Sequence, residues 1–487
     1  MQATATQANP SPQRGTPPDA LYSFKHGLVQ DAVHNSLLRN VRQQLHAQIA
    51  EALIAHSPEL MDSHPELSAR HYAEAGLVEK SVAYWGRAGR RSTARSALAE
   101  AAAQFQQGLD QLARVPDNHE RQRQELEFRG ALAVALRFVK GQVAPETGQA
   151  YARALELWEQ LGFPAEHLQV PYGHTRYLVY RGELNLAMRL SEDILLLSRQ
   201  RNDSGGLVLG HQACGSVQTH TGRFVSARSN LEAALALYDP ISHLSLFYQA
   251  AIHPQLVAQG YLGMVLLCLG YPDQALARSS AAVTQAREFA HLPSLAVTLG
   301  WSAMLSLVGG NTISGRWVDE LDTIAAEQGF LFWRAVATIF RGWMKVKNGD
   351  VPGGLPLLRG GLEAYRAAGA DQWIPYFFGL LARACEIAGQ LDESLVLIDD
   401  ALRIVERTGE RWFEAELHRH KGQLLQRQMH PQAAEELYDK ALSIAREQEA
   451  KLWELRAAMS FARLRRARSQ RSKRAARPTK LITGRER

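Results

Sequence analysis

The sequence contains few of the residue patterns on which catalytic and metal-binding sites depend. It has three cysteines, Cys214, Cys268 and Cys385, whose isolation does not suggest disulfides and is typical of a protein in the reducing cytoplasm. None of its seventeen histidines follows a metal-ligand pattern such as His-Glu-x-x-His, and no Gly-x-Ser-x-Gly nucleophile motif occurs. We therefore predict no catalytic residue, no metal ligand, no cofactor-binding residue, and a cytoplasmic location.

A phosphate-binding loop is also missing. Such a loop needs glycines that expose backbone N–H groups, a lysine for the phosphates, and a serine or threonine for magnesium. The nearest match runs from Gly310 to Trp317, where Arg316 replaces the lysine and Trp317 replaces the hydroxyl residue. No strand pattern precedes this segment. We interpret it as a turn between two helices, so the sequence gives no support for nucleotide hydrolysis.

The sequence predicts no secretory signal, because residues 1–20 lack an apolar core. One stretch has the composition of a membrane span: no Asp, Glu, Lys or Arg occurs from Phe289 to Gly315, and Leu292–Val308 is largely apolar. The stretch also contains Pro293 and several serine and threonine residues, and it lies where the repeat described below requires a helix. We therefore predict a buried helix rather than a membrane span.

The net charge of +6 is distributed unevenly. The segment from Arg463 to Arg487 has eleven Lys or Arg and one Glu, a charge of +10, which leaves 6 − 10 = −4 for the rest of the chain. A basic run can bind nucleic acid or an anionic membrane, but no aromatic residues for base stacking accompany this one. We predict a solvated, disordered tail over 465–487 and a disordered N-terminus over 1–20, and nucleic acid is not a favoured partner.

What the sequence does contain is an internal repeat. Small residues recur at offsets of seven, five and seven. Six sets follow the pattern, with one larger residue, a methionine: Ala69, Gly76, Ser81, Ala88; Gly215, Gly222, Ala227, Ala234; Gly263, Gly270, Ala275, Ala282; Gly342, Gly349, Gly354, Gly361; Ala382, Gly389, Ser394, Ala401; and Gly422, Met429, Ala434, Ala441. A second register agrees, because the tryptophans at 333, 373, 412 and 453 follow one another at nearly the same interval as the last three sets. Self-similarity at such a period indicates a stacked array.

Each set predicts a hairpin of two amphipathic helices. The first small residue lies midway along one helix, the second is a turn glycine able to adopt positive φ, and the last two share one face of the next helix. The pattern resembles the tetratricopeptide repeat, although the period of about 40 residues exceeds that family's period of about 34. We predict an all-α, right-handed α-α superhelix of about nine to ten helix pairs over 61–464, with Trp333, Trp373, Trp412 and Trp453 buried between repeats.

The segment before the array resembles a junction in large bacterial signalling proteins. Phe24, His26 and Leu28–Ala32 match the closing helices of a signal-transducing ATPase module, which a tetratricopeptide-like region follows and a class III adenylate or guanylate cyclase domain often precedes. Three later stretches resemble the same region: Arg70–Gly76, Gly270–Ala277 and Glu406–Trp412. The resemblance implies that 21–60 is a helical remnant of the ATPase module and that the catalytic modules lie outside this chain.

The resemblance further implies a non-catalytic protein- or peptide-binding or sensor module of an ATPase- or cyclase-linked bacterial signalling system, with a separate ATPase or cyclase subunit as a further partner. Two alternatives stay open: a cyclase or ATPase family member whose catalytic modules are missing from this chain, and a transcription-linked regulator, although no helix-turn-helix sequence accompanies the basic tail. The first helix of each hairpin lines the concave surface of such an array. Five candidate groove-lining residues follow: Arg341, Lys345, Arg383, Arg419 and Lys421.

Overall fold

The structure is a computed structural model that describes residues 12–14, 21–22, 36–243, 246, 252–310 and 314–475. It begins with two short antiparallel strands, β1 (Pro12–Arg14) and β2 (Leu21–Tyr22), in which Pro12 lies opposite Tyr22. Most of the predicted disordered segment 1–20 lies outside the described residues. The predicted helical segment 21–60 contains β2 at its start and helices from Arg39 onward, and 23–35 again lies outside the described residues.

All further regular structure in the described residues is helical. The helices, in chain order, are α1 (Arg39–His56), α2 (Pro58–Ser63), α3 (Pro65–Glu74), α4 (Val78–Ala94), α5 (Leu98–Leu112), α6 (His119–Val139), α7 (Pro145–Gln160), a 3-10 turn (Ala165–His167), α8 (Gln169–Tyr180), α9 (Leu184–Arg201), α10 (Ser204–His220), α11 (Phe224–Leu237), α12 (Pro254–Cys268), α13 (Pro272–Glu288), α14 (Leu292–Gly309), α15 (Ser314–Gln328), α16 (Leu331–Lys347), α17 (Val351–Ala367), α18 (Ile374–Ile387), α19 (Leu391–Thr408), α20 (Glu414–Arg427), α21 (Pro431–Glu447) and α22 (Lys451–Ala475).

The chain forms two compact units. Unit 1 contains the residues up to Ala88 together with Gln107–Pro116, and unit 2 contains Gly89–Gln106 and the residues from Asp117 onward. In unit 1, α3 and the first part of α4 form a hairpin in which the Ser81 hydroxyl donates a hydrogen bond of 2.8 Å to the Ala69 carbonyl. The small residues of the first predicted set therefore face each other across the hairpin.

The described residues of unit 2 form eight helix hairpins, from α6–α7 to α20–α21. The same small residues allow the close approach within each pair: the Ser394 hydroxyl donates a hydrogen bond of 2.7 Å to the Ala382 carbonyl, as in unit 1. A Cβ added to Gly342 would lie 2.7 Å from the Leu358 nitrogen, a distance that real Cβ atoms do not tolerate. The prediction of an all-α, right-handed superhelix of tetratricopeptide-like hairpins is confirmed.

The turn inside each hairpin is formed as predicted. Gly349 adopts a φ of +95°, which glycine adopts without the strain that a Cβ introduces. The other predicted turn glycines also have positive φ: Gly182, Gly222, Gly270 and Gly389. Met429 occupies the equivalent place in the last hairpin with a φ of +66°, so this turn forms even without a glycine.

The tryptophan series occupies equivalent buried positions, as predicted. Trp333, Trp373, Trp412 and Trp453 lie near the beginning of successive first helices and are at most 2% exposed. The indole N–H of Trp453 donates a hydrogen bond of 3.0 Å to the Trp412 carbonyl, so one repeat bonds directly to the next. These rings are packing elements between repeats.

Unit 2 also closes on itself. The carbonyl of Tyr180, at the end of α8, accepts the amides of Asp371 and Gln372 at 2.9 and 3.1 Å. The carbonyl of His220, at the end of α10, accepts the amides of Arg411 and Trp412 at 2.8 and 3.1 Å. The first helices of earlier hairpins therefore meet the first helices of later ones. These contacts cover much of the surface that the first helices turn towards the interior of unit 2.

The sequence pattern predicts that the first helix of each hairpin lines a concave surface. The closure corrects this expectation, because first helices from distant hairpins meet there. Helix α14 is the one described helix long and apolar enough to cross a membrane, and 83% of its apolar window is buried inside the protein. The burial agrees with the prediction of a core helix.

The segment that resembles a phosphate-binding loop follows a helix and not a strand. Gly310 ends α14 with a φ of +80°, and α15 begins at Ser314.

The basic tail is a second correction. It is predicted to be disordered from residue 465, whereas α22 continues as a helix to Ala475. The helix is held from within unit 2: Leu464 is buried, and Arg465 and Arg468 both pair with Glu435. The guanidinium of Arg465 also lies 4.1 Å from the centre of the Phe461 ring. Residues 476–487 lie outside the described residues.

Candidate functional site

A cavity of about 430 Å³ opens in the C-terminal repeats of unit 2. Its walls come from successive first helices, namely α14, α16, α18 and α20, and from the terminal helix α22. Trp343, Tyr376 and Phe413 form an aromatic part of the wall. A Cβ on Gly379 would lie 2.9 Å from Phe413, so the glycine lets this ring lie directly against α18.

The cavity contains a buried carboxylate surrounded by arginines. Glu416 is 3% exposed and accepts two hydrogen bonds from Arg419, at 2.6 and 2.7 Å. Guanidinium nitrogens of Arg383 and Arg456 lie 3.8 and 3.7 Å from the same carboxylate. Burial opposes ionisation of Glu416, but the three guanidinium groups outweigh it and hold the pKa of this carboxyl below its usual value.

The second carboxylate of the wall is also fully engaged. Glu386 accepts hydrogen bonds from His420 Nε2 at 2.9 Å and from Arg427 at 2.7 Å. The hydrogen bond from His420, assisted by Arg427 and opposed by burial, lowers the pKa of Glu386 to about 2. Burial lowers the pKa of His420 as well, so the ring is neutral at neutral pH, and the tautomer with a proton on Nε2 follows from the carboxylate acceptor.

Two cationic residues of the wall form no hydrogen bond to a carboxylate among the described residues. Arg383 donates no hydrogen bond to any of them, its side chain is 42% exposed, and its guanidinium carbon lies 6.0 Å from the Trp343 ring centre. Lys347 lines the rim and forms no ion pair with a residue in the described ranges. The cavity wall therefore carries four cationic residues against two carboxylates, and both carboxylates already accept strong hydrogen bonds.

A second cavity of about 480 Å³ shares part of this wall. Arg383, Glu416 and Arg456 line both cavities. The second cavity adds Leu455 and Met459 of α22, which are 59% and 46% exposed. The arginine cluster thus lies between two cavities, each of which also has apolar residues in its wall.

The structure separates the five predicted groove residues into two groups. Arg383 and Arg419 come together on Glu416, Arg383 facing the cavity and Arg419 buried behind it. The other three residues pair with carboxylates and do not line the cavity: Arg341 with Asp319 and Asp322, Lys345 with Asp350, and Lys421 with Asp399.

The remaining cavity residues were not identified from the sequence, although the repeat register contains a signal for them. Leu307, Lys347, Ile387 and Arg427 all line the cavity and follow one another at a constant interval, which is the repeat period itself. A second series, Tyr376, Glu416 and Arg456, has the same spacing. Equivalent positions of stacked repeats form a stripe, so charged residues in these two series mark the site.

Metal-ligating side chains and thiols are further groups with which a protein carries out chemistry. No set of three or more His, Cys, Asp or Glu side chains in the described part of the chain is arranged to hold a metal ion. All three cysteines are buried and free, and burial raises the pKa of Cys385 to about 11 and that of Cys214 to about 12. These thiols are therefore protonated at neutral pH and are poor nucleophiles.

Comparisons with known proteins give one curated relative and a set of solved structures. No protein-family profile matches the chain. An uncharacterized protein of Rhizobium meliloti strain 1021 is 24% identical over 404 residues, which cover 82% of this chain but only 39% of that protein. The chain thus spans well under half the length of the curated relative that it matches.

Among solved structures, a Rap protein complexed with competence and sporulation factor has a TM-score of 0.54 at 13% identity, covering 77% of this chain and 99% of that one. The Cut9–Hcn1 hetero-tetramer of APC/C has a TM-score of 0.43 at 12% identity, covering 90% of this chain and 85% of that one. The likeness to the Rap protein shows the fold alone: the chain is a tetratricopeptide-like helical solenoid.

Proposed function

We propose that this protein is a non-catalytic protein- or peptide-binding module whose ligand enters the cavity between α14, α16, α18, α20 and α22. The observation that carries the proposal is the cavity itself, in which an aromatic wall lies beside a cationic side chain, Arg383, that has no hydrogen-bond acceptor among the described residues. Binding sites combine apolar area with a few placed polar groups in this way. The complex of the Rap protein with competence and sporulation factor supports a ligand-binding role for a solenoid of this kind.

The biological setting that we propose is bacterial signalling linked to an ATPase or cyclase. The curated relative is bacterial and much longer than this chain, which agrees with a module that works beside further domains or subunits. The resemblance of Phe24–Ala32 and of the early repeats to ATPase-linked regions points the same way. The three buried thiols suit a reducing compartment such as the cytoplasm.

The binding proposal is tested by selecting peptides from a random library displayed on phage against the full chain. Selected peptides are then measured by calorimetry against Ile387→Trp, which places a large ring in the cavity at a residue that is 52% exposed. Val396→Trp is the matched control, because Val396 is a 58% exposed aliphatic residue of the same hairpin that does not line the cavity.

We expect selected peptides to bind the wild-type chain and Val396→Trp alike and to lose at least about tenfold in affinity for Ile387→Trp, the effect of blocking one well-packed contact. If no peptide is enriched, or if both tryptophan variants bind equally well, the proposal is wrong.

A further inference from the structure

The cationic side of the cavity has more charge than its own carboxylates satisfy. Glu386 and Glu416 accept short hydrogen bonds from Arg427 and Arg419, at 2.7 and 2.6 Å. Arg383 reaches Glu416 only at 3.8 Å, which is too long for a hydrogen bond. Its guanidinium is therefore a donor group that faces the cavity with its hydrogen-bonding capacity unused by the described residues.

We propose that Arg383, with Lys347 at the rim, binds an oxyanion of the ligand, and that an apolar group next to this oxyanion lies against Trp343, Tyr376 and Phe413. This inference rests on the proposed function and specifies the ligand class: a peptide that carries a carboxylate or phosphate beside an apolar side chain. A guanidinium suits both anions, because its planar donors match the oxygen pairs of either group.

Electrostatics of the free protein supports this assignment. Burial lowers the pKa of Arg383, Glu416 raises it, and Arg419 and Arg456 lower it further. The charged guanidinium is thus held near two other guanidinium groups with a share in a single carboxylate. An anion in the cavity reduces this repulsion, and a cation increases it.

The aromatic wall supports the second half of the proposal. Trp343 and Phe413 are buried but line the cavity, and Tyr376 and Phe413 pack edge to face with ring centres 5.1 Å apart. A fixed aromatic surface offers contact area without the entropy cost of ordering flexible side chains. An apolar group beside the anion therefore finds a preformed surface.

The test uses four small probes that share one apolar body and differ in the end group: 4-phenylbutyrate, 4-phenylbutyl phosphate, 4-phenylbutylamine and 4-phenylbutanol. Binding to the full chain is measured by calorimetry at low and at high sodium chloride. We expect the carboxylate or the phosphate, or both, to bind, with affinity that falls as salt rises, and the amine and the alcohol to bind at least about tenfold more weakly, as expected for loss of a charge-assisted contact.

Three variants locate the contact. Arg383→Glu is expected to weaken the anionic probes by about tenfold or more, and Arg383→Lys, which keeps the charge but loses the planar donors, to weaken them less. Arg334→Glu is the control, because Arg334 is an exposed arginine of α16 that does not line the cavity. If Arg383→Glu does not fold, Lys347→Glu at the exposed rim gives the same test with a smaller loss.

The proposal is overturned if all four probes bind equally, if none binds, or if Arg383→Glu and Lys347→Glu bind the anionic probes as the wild type does. Tighter binding of the carboxylate identifies an acidic side chain or chain terminus as the ligand group, and tighter binding of the phosphate identifies a phosphoryl group. If the anionic probes bind but no peptide is selected, the oxyanion site is supported and the peptide-binding function is wrong. If peptides are selected but their binding does not depend on an anionic group, the peptide-binding function is supported and the oxyanion site is wrong.

Discussion

Helices α14 and α20 occupy the same place in their hairpins and bury opposite kinds of residue. Helix α14 buries no charged side chain, and its buried polar groups form neutral hydrogen bonds: Thr298 donates one of 2.8 Å to the Ser294 carbonyl, and the Ser302 hydroxyl accepts one of 2.7 Å from Ser279. Helix α20 buries Glu416, Arg419 and two histidines. Buried ion pairs add little stability compared with apolar side chains of similar volume, because desolvation opposes their attraction. The charged helix therefore needs an explanation other than stability, and the ligand binding that we propose is one.

The largest test of this contrast removes the central carboxylate. We expect Glu416→Ala to lower the free energy of unfolding by about 3–5 kcal/mol, because it leaves the buried guanidinium of Arg419 without its partner. Glu435→Ala is the control: this partly exposed carboxylate pairs with arginines of α22, and its loss should cost under about 1 kcal/mol. Urea denaturation of both variants decides, and equal losses would show that the charged cluster is not buried as described.

The second test uses pH. Burial, with a smaller contribution from Lys440 and Lys421, lowers the pKa of His418 to about 4. Between pH 6.5 and pH 4 the unfolded chain binds a proton at His418 and the folded protein does not. The contribution of the neutral ring to the free energy of unfolding is therefore fully present above the unfolded pKa of about 6.5 and is lost as the pH falls from there towards 4.

His418→Gln removes this titration. Between pH 7 and pH 4 the wild type should therefore lose about 2–3 kcal/mol more stability than the variant does. His430→Gln, at an exposed histidine of the same hairpin, should follow the wild-type curve. Urea denaturation at several pH values measures the difference, and parallel curves for all three proteins would contradict the prediction.

The third test concerns the small-residue position that recurs in the first helices and is occupied by Ala382 in α18. Ala382 is fully buried where α18 meets α19, and Ala382→Leu should cost about 1–3 kcal/mol through overpacking. Ala367→Leu, at an exposed position outside the small-residue register, should cost much less. Thermal denaturation compares the two, and equal shifts would mean that the register has no role in packing.

The smallest expected effect separates the site from its surroundings. Lys345 pairs with Asp350 at 2.8 Å on an exposed surface, so Lys345→Ala should change stability by less than about 1 kcal/mol. It should also leave binding of 4-phenylbutyrate unchanged, because Lys345 does not line the cavity. A clear loss of affinity in a calorimetric titration of this variant would contradict the location of the binding site at Arg383.

Sequence periodicity predicted the hairpins well, because small residues such as Gly342 and Gly354 have one steric role wherever they recur. It also placed Trp373 correctly in the core. It failed where the outcome depends on contacts between distant repeats. Nothing local to His220 shows that its carbonyl will accept amides from Arg411 and Trp412, so the filled interior could not be predicted.

The site was predictable to a smaller degree. Arg383 and Arg419 were identified as first-helix cations, but a single repeat does not show that Glu416 draws both together, or that Arg456 joins them from α22. Lys345 and Lys421 are also cationic residues of first helices, yet each pairs with a different carboxylate, that of Asp350 or Asp399. Which cation remains available depends on the side chains of the neighbouring helix.

The backbone bonds that close unit 2 have a consequence for how this array can change in length. Asp371 follows Tyr180 at the same interval along the chain as Arg411 follows His220, and in the described residues each interval leads from the first helix of one hairpin to the first helix of the fifth hairpin after it. Loss or duplication of one internal hairpin would place every later first helix one position out of step with its partner. In an open array each repeat contacts only its neighbours, whereas in this protein the hydrogen bonds between distant repeats oppose any change in the number of hairpins between them.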